Sequence, residues 1–119
     1  MPSAPLPSYL RTHRKRLALS QAEVAFLLGI HGESKGAKVC RDERFVREPS
    51  LATALAYEAI YQRPVSELFA GLYQEVEQEI AERAKVLTYR KDWKPSRQTT
   101  RKRQVFAALA TRQSKQSFT

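Results

Sequence analysis

The chain has 119 residues, enough for one domain with a modest core and an extension. Its formal net charge of +9 and a sequence pI near 10.1 point to a polyanionic partner, and charge alone fits DNA, RNA and acidic membrane surfaces alike. No run of about 18 apolar residues is present, which excludes a transmembrane helix, and the single cysteine, Cys40, excludes an internal disulfide.

Only four glycines and six prolines argue for helices rather than a turn-rich sandwich. Pro2, Pro5 and Pro7 make residues 1–7 an extended arm, and this stretch lacks the basic and apolar blocks of a signal peptide. A cytoplasmic protein is expected. Ser8 is positioned to cap a first helix over Tyr9–Leu17, with Tyr9, Leu10 and Leu17 inward and Arg11, Arg14, Lys15 and Arg16 on the other face. Ser20 and Glu23 form a Ser-x-x-Glu capping box, in which each side chain satisfies a backbone N–H that the first turn leaves unpaired. The second helix begins there, offers Val24, Ala25, Leu27 and Leu28 as its apolar face, and ends at Gly29.

Residues 31–36 read as a polar loop. A third helix starts near Ser34–Gly36 and runs to about Arg44. Pro49 and Ser50 open a fourth, Leu51–Tyr61, with Leu51, Leu55, Ala56, Ala59 and Ile60 at helical spacing. Pro64 opens a short fifth helix carrying Val65, Leu68 and Phe69. Residues 8–71 are therefore read as one domain.

Composition changes after Gly71. Residues 72–91 form an amphipathic helix in which Tyr73, Val76, Ile80 and Leu87 define a seam, with Arg83 at its interrupted position. This helix either packs on its own domain or makes a short two-stranded seam with a second copy; fewer than three clean heptads argue against a long coiled coil. Residues 92–119 form a basic tail with no acid beyond Asp92. One short helix, Val105–Ala110, is expected in a segment otherwise poor in core formers.

The order Leu10, Arg14, Leu17, Leu19-Ser20-Gln21, Ala25, Leu28-Gly29, then Arg41-x-Glu43, Pro49-Ser50-Leu51 and Leu68-Phe69 resembles the phage repressor/Cro-like helix-turn-helix family, often called the XRE family. The likeness covers Leu10 to Phe69, about half the chain. It implies an all-α fold: a five-helix repressor/Cro-like domain, here followed by the amphipathic helix and the basic tail. It also implies double-stranded DNA as partner, a homodimer on a palindromic or repeated operator, and transcriptional control. The second helix would cross the DNA backbone and the third would enter the major groove.

Residue by residue, the resemblance implies that Gln21 at the start of the second helix meets a phosphate, a suitable partner for a side-chain amide and helix N-terminal N–H groups. Arg14 and Glu43 stand at positions that commonly pair, tying helix 1 to helix 3, and Arg14 also stands where it can face phosphate. Ala25 must be small where two helices cross, and Val39 should be buried. Arg11, Arg44 and Arg47, with Arg101, Lys102 and Arg103 of the tail, are the candidate backbone neutralisers.

Two departures stand out. The turn between helices 2 and 3 is about four residues longer than the family's, and the extra residues fall within His31–Lys38. They lengthen the third helix at its N-terminus or form a protruding loop. The usual reading positions then fall on Gly36, Ala37 and Lys38, of which the first two have no side-chain hydrogen bond to offer. Base reading passes to Ser34, Lys35, Lys38 and Arg41, with Arg41 foremost because bidentate arginine on guanine is the commonest specific contact. Second, Arg44-Phe45 replaces the usual Asn-Gly, so another helical turn is expected in place of the tight turn. Asp42 stands where an apolar residue is usual, with Phe45 or Val46 expected to fill that space.

Little else carries chemistry. His13 and His31 lack companions for a metal site, and no catalytic elbow or phosphate-binding glycine loop is present. No enzyme, cofactor or metal is expected. Cys40 is either a redox-sensitive thiol beside DNA or, more simply, a small helix residue. The rival reading from another class is a protein-interaction module, such as the antitoxin of a toxin–antitoxin pair, binding its partner through the C-terminal region. RNA binding ranks below both, since unpaired RNA is usually recognised by stacking aromatics and the tail offers only Trp93, Phe106 and Phe118.

Overall fold

A computed structural model describes residues 4–32, 35–90 and 94–112. Among these the protein is all-helical, with seven helices and no strand: α1 (Leu10–Arg16), α2 (Gln21–Leu27), α3 (Lys35–Glu43), α4 (Leu51–Tyr61), α5 (Val65–Leu68), α6 (Ala70–Thr88) and α7 (Arg97–Arg112). None is long and apolar enough to cross a membrane. The chain divides into two compact units, Met1–Tyr73 and Gln74–Thr119.

In the first unit the core is built from Leu10, Val24, Ala25, Val39, Ala54, Tyr57, Tyr61, Leu68 and Phe69, one or more from each of α1 to α5 and the α5–α6 junction. Leu19, Leu28, Ile30, Phe45, Ile60, Val65 and Leu72 pack around it. Ala25 and Val39 are fully buried, the first because a small residue lets helices approach closely.

Local chemistry sets the helix limits. Ser20 accepts from Glu23 N–H at 3.0 Å while Glu23 Oε1 accepts from Ser20 N–H at 2.8 Å, completing the capping box at α2. Hydrogen bonding of the carboxylate by the Ser20 backbone N–H, and then by the Ser20 side chain, holds the Glu23 carboxyl below the usual range. Ser50 caps α4 by accepting from Thr53 N–H. At α5 the cap is borrowed: Glu58 Oε1 of α4 accepts from Val65 N–H at 2.8 Å.

Three helix ends close in the same way. Leu19, Ile30 and Val46 each donate their N–H to the carbonyl five residues back, Arg14, Ala25 and Arg41 respectively. The residue before each donor is left-handed: Ala18 (φ 59°), Gly29 (φ 82°) and Phe45 (φ 54°). This is the Schellman closure, which usually places glycine at that position. The tight turn after α3 is therefore retained with Phe45 in it, and no further helical turn replaces it. Phe45 turns its ring onto Phe69, centroids 6.2 Å apart; burial of the ring offsets the strained backbone. Val46, by contrast, is exposed.

The inward faces differ from the sequence reading in three helices. In α4 the buried residues are Ala54, Tyr57 and Tyr61, while Leu51 and Leu55 are 74% and 50% exposed and Ala59 is exposed too. Apolar residues surround this helix, so their spacing does not choose a face; the tyrosines win because they bury more surface. Leu17 and Leu27 also lie outside the core, and Leu19 replaces Leu17 in it.

Part of the proline-rich arm is strapped to this unit. Gly71 N–H donates to Leu6 O at 2.9 Å and Tyr9 N–H donates to Leu68 O at 2.8 Å. Leu6 N–H donates to the Tyr9 hydroxyl. The backbones meet so closely that a Cβ on Gly71 would lie 2.7 Å from Leu6 O.

The second unit holds most of α6 and all of α7. Ala81 and Ala84 are buried on α6, and exposed Glu79–Arg83 and Glu82–Lys85 pairs run along it. In the tail, helix α7 is a full 16 residues, longer than the short Val105–Ala110 helix that composition suggested. Ser96 caps it by accepting from Thr99 N–H at 3.0 Å.

Two substitutions test these backbone constraints with opposite signs. Gly71→Ala forces backbone apart and should destabilise by about 1–3 kcal/mol. Ala18→Gly relieves a left-handed alanine and should stabilise by about 0.5–1 kcal/mol, the gain being reduced by the extra freedom of the unfolded chain. Urea denaturation of both variants reads the two signs.

Candidate nucleic-acid interface

Helix α3 is packed against α2 and reaches α1. Its contacts to the interior are unusually polar. Glu43, whose side chain is 4% exposed, receives Arg14 Nε at 2.5 Å and Arg14 Nη2 at 3.3 Å, a two-pronged pair. The remaining terminal nitrogen, Arg14 Nη1, donates to Leu19 O at 2.9 Å. Gln21 Nε2 adds a third donor to Glu43 at 3.2 Å. The hydrogen bond and charge of Glu43 raise the Arg14 guanidinium still further above its ordinary range.

The neighbouring carboxylate is also buried. Asp42 is 5% exposed, where the sequence pattern calls for an apolar side chain. Its Oδ2 accepts from the Tyr57 hydroxyl at 2.7 Å and from Lys38 Nζ at 3.2 Å. Burial, then the bond to Asp42, drives the Tyr57 hydroxyl far above its usual range. Tyr61 stacks beside Tyr57 with ring centroids 5.8 Å apart, and burial raises its hydroxyl as well.

With Val39, Asp42 and Glu43 inward, helical geometry fixes what faces out. Arg41 and Arg44 are exposed, and so are Arg11 on α1 and Arg47 just beyond α3. Two recesses lie beside α3. One, of about 550 Å³, is lined by Arg11, Arg14, Ser20, Gln21, Cys40, Glu43 and Arg44. The other, of about 280 Å³, is lined by Lys38, Arg41, Asp42, Val46 and Arg47. Exposed Arg44 thus borders the first recess with Arg11, and exposed Arg41 borders the second with Lys38 and Arg47.

The sequence-derived base readers divide accordingly. Arg41 is exposed beside the second recess. Lys38 is half-committed to Asp42, its side chain 40% exposed. Ser34 and the side chain of Lys35 lie outside the described residues. Among the backbone candidates, Arg11, Arg44 and Arg47 are exposed, whereas Arg14 is turned inward with each guanidinium nitrogen donating within the protein. Gln21 borders the first recess but spends a donor on Glu43. Arg101, Lys102 and Arg103 belong to α7 in the second unit. On α6, Val76 and Ile80 of the expected seam are 42% and 40% exposed, and Tyr73 and Leu87 are half-buried.

Sequence reasoning missed the Tyr57–Asp42–Lys38 cluster. Its signal was present: an aspartate three residues after Val39, on the stripe that must face the core. Among the described residues no group of three or more histidine, cysteine or acidic side chains is placed to hold a metal ion. No protein-family model, curated protein or solved structure matches this chain.

Removing one partner of the Arg14–Glu43 pair strands the other in the interior. Glu43→Leu alone should cost about 3–5 kcal/mol, and Arg14→Met/Glu43→Leu should recover most of that loss. A double-mutant cycle by chemical denaturation measures the difference, and additive single losses would mean the pair is not coupled.

Proposed function

We propose that the first unit is a repressor/Cro-like helix-turn-helix domain, and that the protein is a sequence-specific, DNA-binding transcriptional regulator. In this reading α2 crosses the DNA backbone and α3 lies in the major groove. The observation that carries it is the orientation of α3. Two adjacent carboxylates are drawn into the interior and neutralised there, so among the described residues of α3 the outward face presents Arg41, with Arg44 just beyond it, and no acid. That sorting is what a helix entering a polyanionic groove requires.

Arg41 is the base reader in this proposal, since its fork matches the acceptor pair on guanine. Arg11, Arg44 and Arg47 neutralise phosphates and set the register without reading sequence. Arg14 supports from within, fixing α3 against α1.

Dimerisation through α6 would supply a second half-site, and the exposed Val76 and Ile80 support such a seam. The same exposed residues, with Val86 and Tyr89 at 69% and 77% exposure, also favour a second reading: a protein-interaction module of the antitoxin kind. Purification without overexpressed partners separates the two. A homodimer that binds DNA supports the regulator; a stoichiometric foreign protein held through residues 72–91 supports the module.

The deciding experiment is selection from a random duplex library at about 150 mM salt, where non-specific phosphate binding is weakened. A symmetric enriched motif is expected. Arg41→Ala should then relax preference at one base pair and cost about 1–3 kcal/mol, whereas Arg47→Ala should weaken all sequences alike. Uniform loss in both variants would remove Arg41 from base reading.

A further inference from the structure

Helix α7 carries a second basic surface, separate in the chain from α3. Residues 93–119 contain seven lysines and arginines and no acid. The structure sorts them. Thr99, Phe106, Leu109 and Ala110 are half-buried, whereas Arg97, Arg101, Gln104 and Ala108, at steps of three and four, are exposed. Lys94 and Lys102 are exposed as well. Among the described residues no carboxylate pairs with Arg97, Arg101 or Lys102, while Glu79 and Glu82 of α6 pair with Arg83 and Lys85. The result is a capped helix on which Arg97, Arg101 and Lys102 are exposed and have no carboxylate partner among the described residues.

We infer that this face of α7 is a preformed, sequence-independent contact for the phosphate backbone of duplex DNA. Three features select that partner. An interfacial membrane helix needs bulky, exposed apolar residues opposite its cations, yet Phe106 and Leu109 are half-buried and the large apolar residue that is exposed among the described part of α7 is Val105, at 48%. Unpaired nucleic acid calls for exposed rings to stack on, and no described aromatic side chain of α7 is exposed. Finally, arginine, glutamine and threonine on an ordered helix match phosphate oxygens without reading base edges. Because these cations sit on a folded helix, their contacts form without first ordering the chain.

This inference deepens the DNA-binding reading but does not need α3 to read bases, and the test keeps the two apart. The full chain is titrated with a mixed-sequence duplex between about 50 and 200 mM salt, beside the variants Arg97→Gln/Arg101→Gln/Lys102→Gln and Arg41→Ala. Each phosphate contact contributes about 0.9 to the slope of log affinity against log salt, so the triple variant should lose about 2–3 from that slope. Circular dichroism should show α7 intact, and the lysine-restored Arg97→Lys/Arg101→Lys should keep the slope. An unchanged slope in the triple variant overturns the inference and leaves base reading by α3 to stand on the selected motif. A reduced slope with no motif dependent on Arg41 upholds α7 and removes α3 as reader. Loss of binding to phosphatidylserine vesicles with duplex binding unchanged would overturn it in favour of a membrane.

Discussion

Everything on the exposed side of α3 depends on two carboxylates on its buried side. Asp42 and Glu43 are consecutive, so they project about 100° apart around the helix, and each is fixed by partners from a different element. Glu43 answers to α1 and α2 through Arg14 and Gln21, and Asp42 to α4 through Tyr57. Apolar contacts tolerate sliding and rotation; hydrogen bonds to buried charges do not, because a lost partner strands a charge in the interior. The helix is thereby held in azimuth as well as in depth. In the proposed DNA-binding reading, where Arg41 meets a fixed position on the duplex, rotation is the degree of freedom that matters most.

Cations in the protein have separate tasks. Arg14 is spent on structure, and Lys38 is shared between Asp42 and solvent. Arg16 donates to Tyr61 O at 3.2 Å at the C-terminal end of α4, where a positive charge complements the helix dipole. The net charge of +9 therefore overstates what any one surface offers. Among the described residues, exposed cations include Arg11, Arg41, Arg44 and Arg47 in one unit and Arg97, Arg101 and Lys102 of α7 in the other.

Much of this was legible in the residues. The limits of α4, Leu51–Tyr61, follow from Pro49-Ser50 and the helical period, and the capping box locates α2. Arg14 and Glu43 were identifiable as a pair through resemblance alone; no spacing rule links residues 29 positions apart. The inward face of α4 was not legible, because apolar residues surround it and the choice belongs to the tyrosines and their partner Asp42. Nor was the length of α7, since Arg97 to Gln104 lacks the apolar stripe by which amphipathic helices are recognised. Its start is set instead by the Ser96 cap, a local signal with no apolar stripe behind it.

Phe45 joins two demands that local preference would separate. Its backbone is left-handed, a state that an isolated phenylalanine avoids, and its ring rests on Phe69, 24 residues further along the chain. The stop signal of α3 is therefore not written wholly in α3. The end of α3 rests on a ring contact with the α5–α6 junction as well as on the local hydrogen bonds of its own closing turn, so a change at Phe69 reaches the limit of a helix 24 residues away in the chain.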